Sequence, residues 1–301
     1  MKADAVEERP VRSALAVRLA DFAELTKPGI SLMVVVTAGL GFLLAERGPI
    51  SFQLLVYTLL GTWLVSAGAS ALNHVLERET DARMQRTLDR PLPAGRLHPD
   101  GALLFGVVLG IAGLAVLAFE VNLLTALLGV AALAGYVFVY TPLKSRTSLA
   151  TIIGAIPGAI PPMMGWSAVR NRADLPAWVL FGILFFWQMP HFLAIAWLCR
   201  EDYKSGGFPM LTVLDPTGAR AGRQSVLYSA ALVPVSLLPS VLGLVGGIYF
   251  WGALLLGAVY LAAGFGFGRE RTTATARRLM FASLLYLPAL LGIMLVDRIL
   301  L

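Results

Sequence analysis

The sequence predicts an all-α polytopic membrane protein: nine transmembrane helices, arranged as two four-helix repeats plus one, around a central cavity. Three observations carry that reading. First, the 301 residues are 57% hydrophobic and only 14% charged. A soluble domain carries about 25% charged residues, so there is too little charge here to cover a water-facing surface of this size. Second, nine apolar segments fall at 29–45, 52–72, 101–119, 121–140, 149–168, 176–198, 225–245, 247–267 and 278–296. Each approaches the roughly 20 residues that a helix needs to cross a ~30 Å hydrocarbon core. Third, 20 of the 24 Lys and Arg residues lie in the N-terminal arm and the connections after the second, fourth, sixth and eighth segments. That alternation obeys the positive-inside rule with the N-terminus cytoplasmic and the C-terminus outside.

Taken in order, residues 1–28 form an N-terminal arm of mixed charge with no continuous apolar stretch. It does not read as a cleaved signal peptide, and 11–25 suits an amphipathic helix on the membrane surface. Residues 29–301 form one transmembrane domain. The second segment is uncharged from Phe52 to Leu72 and runs straight into a charged stretch. The fifth, "LATIIGAIPGAIPPMMGW", holds Pro157, Pro161 and Pro162 with Gly154, Gly158 and Gly165. Proline frees backbone carbonyls that lipid cannot satisfy, so this helix is expected to be kinked and turned inward. Its Gly154/Gly158 pair offers a GxxxG packing face. The connections after the second and sixth segments are long, acidic and on the same side, four segments apart. This spacing predicts two parallel repeats with the ninth helix appended.

The net charge of +6 reads as a topology signal. No basic face interleaved with aromatics appears, which excludes nucleic-acid binding. A single cysteine, Cys199, excludes an intrachain disulfide framework and a cysteine-based metal cluster.

The chemistry concentrates in "NHVLERETDARMQRTLDRPLP", Asn73 to Pro93. Asn73, Glu77 and Asp81 are spaced i, i+4, i+8, nearly one helix face. Three oxygen-bearing side chains in a row suit Mg²⁺, which accepts a few protein oxygens and keeps sites for water and phosphate. Arg86, Thr87 and Arg90 follow, and the two arginines are the guanidinium partners that a diphosphate needs. A solvated loop of mutually paired charges is the plain alternative. The strict helical spacing and the second acidic loop favour the metal–diphosphate site. That second loop carries Glu201, Asp202, Tyr203, Lys204, Gly206 and Gly207. Its carboxylates are adjacent, so Asp202 is the better ligand, with Glu201 in support. Lys144 and Arg146, in "YTPLKSRTS", end on the same face and serve either an anion or plain topology. Within the sixth segment, "FFWQMPHFLAIAW", Gln188 and His191 sit one turn apart on one face. Polar groups at that depth turn to the protein interior. His191 is open to a haem-side contact, proton transfer or a hydrogen bond to a neighbouring helix.

At these residues the chain resembles the protohaem IX farnesyltransferases (haem O synthases), a branch of the UbiA-type intramembrane prenyltransferases. The resemblance lies in "LTKPGISLMVVVT", "NHVLERETDARMQRTLDRPLPAG", "YTPLKSRTSLATIIGAIPGAIPPMMGW" and "WQMPHFLAIAWLCREDYKSGGFPML". It implies a bundle of nine helices around a membrane-open cavity in a bacterial inner membrane. It implies farnesyl diphosphate and haem B as substrates and Mg²⁺ as the metal, and leaves open whether haem A synthase docks as a partner. Asn73, Glu77 and Asp81 match the first metal–diphosphate motif, with Glu77 where the wider superfamily has Asp. Asp202 falls in the second motif region, without the superfamily's spaced Asp pair. Arg86, Arg90, Lys144 and Arg146 match basic diphosphate-facing positions. The rivals are a prenyltransferase for an aromatic acceptor such as a quinone precursor and, further off, a non-catalytic transporter or oxidase assembly factor.

Overall fold

A helix in hydrocarbon satisfies its backbone groups internally, and the apolar segments take that solution. The computed structural model describes residues 14–300. A surface helix α1 (Ala14–Leu25) precedes the spans α2 (Pro28–Ala45), α3 (Phe52–Asp81), α4 (Pro99–Val121), α5 (Leu123–Lys144), α6 (Ala150–Arg170) and α7 (Leu175–Leu198). Two short helices, α8 (Arg200–Ser205) and α9 (Leu211–Leu214), lead to α10 (Ala219–Val241), α11 (Gly247–Glu270) and α12 (Thr273–Leu300). Among the described residues nine helices are long and apolar enough to cross a membrane, and there are no strands.

The observed helices are mostly longer than the apolar segments, because helices continue past the hydrocarbon edge while hydropathy stops there. The largest extension is in α3, which continues without a break from Leu72 to Asp81. Residues 73–81 contain neither Gly nor Pro, and Leu76, Glu77, Arg78 and Glu79 at their centre are good helix formers. Ser51 caps the other end, accepting from the Leu54 N–H. The extension carries Asn73, Glu77 and Asp81 on a rigid rod. Helices α4 and α5 each widen into a π-helical turn, at Leu117–Val121 and Gly135–Tyr140. Such turns rotate the residues that follow out of α-helical register. The second of them places Tyr136 and Thr141 beside Asn73.

Helix α6 is the interior helix that its prolines predict. Over an apolar stretch of 18 residues 67% of it is buried, against 22% for the corresponding stretch of α5. It breaks at Ile160, between segments Ala150–Ala159 and Pro161–Arg170. Gly165 of α6 faces the Ala38 carbonyl of α2, and Gly41 of α2 faces the Pro162 carbonyl, with no room for a Cβ at either. Gly154 and Gly158 also pack tightly, but against the Tyr140 ring and the Gln188 side chain.

Helix α1 exposes Leu15 and Leu19 and is tied down at its far end. Asp21 pairs with Arg96 at 2.8 Å, and Phe22 meets Phe105 of α4 edge-on. Part of the expected surface helix, 11–13, lies outside the described residues, as does the rest of the arm before it.

Because the obstacle at Gly165 is backbone, Gly165→Leu forces α2 and α6 apart. Overpacking of this kind costs about 3 kcal/mol. We expect a lower melting temperature in detergent and less folded protein, read by thermal unfolding and size-exclusion yield.

Candidate functional site

The site is built on the last turns of α3. Asn73, Glu77 and Asp81 are 2%, 5% and 1% exposed, so each must find a partner or bear the cost of burial. A basic side chain meets each of them. Lys27 Nζ donates to Asn73 Oδ1 at 2.7 Å. Lys144 Nζ donates to both Glu77 oxygens at 3.0 Å. Arg90 Nη1 donates to Asp81 Oδ2 at 2.7 Å. Asn73 Nδ2 donates to Thr141 Oγ1 at 3.1 Å, which fixes the amide's orientation. The loop after α3 folds back through Thr87, whose hydroxyl donates to the Asp81 carbonyl at 2.8 Å. Asp81 Oδ1 is buried with no hydrogen-bond partner among the described residues.

Lys27 was not anticipated as a site residue. It holds φ 47° between α1 and α2, a left-handed conformation that costs a non-glycine residue of order 1–3 kcal/mol. The two other non-glycine residues with positive φ, Asn171 and Arg271, end helices, where that conformation is an ordinary stop. At Lys27 it turns the chain so that the side chain enters the site. Burial, and next the Arg90 guanidinium, bring its ammonium down to about 7. The available signal was a base directly abutting an apolar span and followed by Pro28. Tyr136 and Thr141 carry no comparable mark, since both lie in or beside an apolar run.

The remaining predicted residues stand further out. Arg86 offers its backbone N–H to Asp202 Oδ1 at 3.4 Å, which joins the two acidic loops. Arg146 is exposed, and its side chain has no partner among the described residues. Glu201 lies 3.6 Å from Arg200. What the second loop lays against the cluster is aromatic: Lys144 Nζ lies 4.5 Å from the Phe208 ring centre and 5.9 Å from that of Tyr203. Gln188 and His191 diverge on α7. Gln188 Nε2 donates to the Ala155 carbonyl of α6 at 2.6 Å. His191 Nδ1 pairs with Ser283 Oγ of α12 at 2.6 Å, and its ring stacks on Trp187 at 5.4 Å. Its Nε2 has no hydrogen-bond partner among the described residues.

An apolar cavity of about 120 Å³ adjoins the polar cluster, lined by Ile30, Ser66, Tyr136, Gly158, Pro161 and Met164 among others. Tyr136 belongs to both, because its hydroxyl is 3.5 Å from Lys27 Nζ and from Asn73 Oδ1. A charged head and an apolar tail therefore fit end to end here.

The profile of the UbiA prenyltransferase family matches residues 33–285. The chain belongs to the UbiA prenyltransferase family. Among UbiA relatives it is 46% identical to a protoheme IX farnesyltransferase of Solibacter usitatus, over 92% of this chain and 98% of that one. It is 45% identical to a protein of the same name from Myxococcus xanthus, over 93% of this chain and 95% of that one. The UbiA fold is seen in a digeranylgeranylglyceryl phosphate synthase, with a TM-score of 0.79 at 18% identity, covering 95% and 100% of the two chains. It is seen again in a UbiA homologue from Archaeoglobus fulgidus bound to DMAPP and Mg²⁺, with a TM-score of 0.69 at 17% identity, covering 92% and 99%.

Removing one partner of a buried pair strands the other charge. Arg90→Met should cost about 3 kcal/mol, the low end for such a pair, because the Arg90 side chain is 22% exposed. The Asp81→Asn, Arg90→Met double variant should recover most of that loss. Thermal unfolding of the four proteins of the cycle reads both outcomes.

Proposed function

We propose that the protein transfers the farnesyl group of farnesyl diphosphate to a vinyl group of haem B, giving a hydroxyethylfarnesyl haem and diphosphate. The observation that carries this reading is the set of three bases at the mouth of an apolar cavity, Lys27 on Asn73, Lys144 on both oxygens of Glu77 and Arg90 on Asp81. The names of the relatives direct the choice of haem as acceptor. Mg²⁺ fits the same residues. Asp81 Oδ1 is a buried carboxylate oxygen without a partner, and hard oxygens at this spacing are its preferred donors. Asp81, with Glu77 and Asn73, would hold the ion, which when bound supplies Lewis-acid neutralisation of phosphate charge.

The residues of the chain do the rest. Lys27, Lys144 and Arg90 turn from their protein partners toward the diphosphate oxygens, where charge grows as the C1–O bond breaks. Arg86 and Arg146 extend the basic rim, and Asp202 holds the Arg86 loop at 3.4 Å. The apolar wall from Ile30 to Met164 excludes water from the allylic cation. The terminal vinyl carbon bonds to farnesyl C1, positive charge passes to the carbon beside the porphyrin, and water adds there with loss of a proton. About 150 Å³ holds a benzene ring, so the 120 Å³ cavity encloses roughly the first isoprene unit. Ile30 lines it and is 60% exposed, so the remaining tail runs out along the lipid face.

The haem side is assigned to α7. His191, with Nδ1 held by Ser283 and Nε2 unpaired, has the arrangement of an imidazole ligand oriented by its second nitrogen. The excess of bases on the face that carries the site supports a cytoplasmic position for that face and the N-terminus, in a bacterial inner membrane.

The decisive test is expression in a host that lacks haem O, followed by mass analysis of extracted haem. Wild type yields haem O. Asp81→Ala, and wild type stripped with EDTA, should fall by about 100-fold or more, with protein still in the membrane. Near-normal product from Asp81→Ala overturns the site, and a prenylated hydroxybenzoate from wild type overturns the acceptor. His191→Ala should weaken haem B binding about tenfold, read by Soret titration, and leave farnesyl diphosphate binding unchanged.

A further inference from the structure

The end of the bundle opposite the Asn73–Glu77–Asp81 cluster carries a second polar cavity. It measures about 450 Å³ and is lined by Leu44, Arg47, Trp166, Gly243, Leu244 and Arg298. That face holds only four of the 24 Lys and Arg residues, as the positive-inside rule requires of an outer face. Two of the four meet at this one cavity, although they lie about 250 residues apart in the chain.

Among the described residues neither guanidinium forms an ion pair: Arg47 has no side-chain partner, and Arg298 gives only Nη2, to the Glu46 carbonyl at 3.0 Å. The neighbouring acids each turn one oxygen to backbone N–H groups, and neither lines the cavity. Glu46 Oε1 accepts from the backbone N–H groups of Arg47 and Gly48 at 3.0 and 3.1 Å. Asp297 Oδ2 accepts from the Tyr249 N–H at 3.0 Å. Trp166 lines the same cavity, is 2% exposed, and has an indole N–H without a partner among the described residues. Indole nitrogen only donates, and a buried donor left unmade is costly. The polar side chains that line the cavity, Arg47, Arg298 and Trp166, are therefore all donors, and two of the three are cationic.

We propose that this cavity binds an anionic oxygen group, a phosphate or a carboxylate, held between Arg47 and Arg298 with Trp166 at its base. Guanidinium forks match both oxyanions in geometry. Two sources present such a group at the membrane edge: the phosphate of a phospholipid, and a propionate of a haem B docked at this outer end, which lies roughly 24 Å along α7 from His191 and so is not the haem poised for reaction. The second source rests on the haem reading above, and the first does not.

The test compares wild type, Arg47→Gln and the Arg47→Gln, Arg298→Gln double variant, purified as full chains. Arg47→Gln loses no side-chain partner, so it reports even where the double variant unfolds. Native mass spectrometry with phosphatidylglycerol reads the lipid source. Soret titration with haem B and with its dimethyl ester reads the propionate source. We expect the variants to lose about tenfold in affinity for one of these probes, as the loss of a charge-assisted pair implies. A loss of phosphatidylglycerol assigns the site to lipid. A wild-type preference for haem B over the ester that disappears in the variants assigns it to propionate. Folded variants that match wild type with both probes overturn the proposal. Haem O formation by the same wild-type preparation is measured separately, so failure of the substrate reading is seen apart from failure of the cavity.

Discussion

Two carboxylates buried at the end of an apolar helix are tolerable only if a cation meets each of them, and the site end of the bundle is arranged to supply those cations. Glu77 takes Lys144 from the end of α5, and Asp81 takes Arg90 from the loop beyond α3. Lys27, from the junction of α1 and α2, takes the neutral Asn73. Three stretches of chain are thus drawn to one helix face by charge. The loop from Ala82 to Pro99 is fixed by the same logic, since Thr87 and Arg90 both return to Asp81. The result is a set of paired charges that can be re-paired when a polyanion and a cation arrive together.

The second constraint is the interior helix. Helix α6 combines a proline break at Ile160 with glycine faces that admit the α2 backbone and the Gln188 side chain. Gln188 binds the α6 backbone, and Gly158, which it packs against, is also a wall of the apolar cavity. One helix therefore shapes the cavity and locks it to α7. His191, on another side of α7, reaches Ser283 of α12, so the acceptor side of the proposed reaction rests on the C-terminal half.

Much of this was legible because membranes impose simple rules. Length and charge alternation mark nine spans, and the spacing of Asn73, Glu77 and Asp81 marks a helix face before any helix is seen. Proline content marks α6 as interior. Other features depend on geometry that no local pattern encodes. Lys27 enters the site through a left-handed turn, and Tyr136 through a π-helical one, neither with a sequence period of its own. The second loop shows its carboxylates plainly in the sequence, yet the structure turns Phe208 and Tyr203 toward Lys144. Gln188 and His191 share a face by spacing, but their partners lie on different helices, because a helix at the centre of a bundle has neighbours on every side.

The small apolar cavity beside Tyr136 has a consequence for selectivity. A prenyl site with a closed floor measures its substrate by length, as a ruler does. A cavity of about 120 Å³ bounded by an exposed Ile30 has no floor for a longer chain to strike. Discrimination among shorter and longer isoprenoids then passes from the protein to the bilayer, which sets how readily each tail leaves the lipid to present its first unit. Chain-length preference would be partly a property of the solvent in which the protein works.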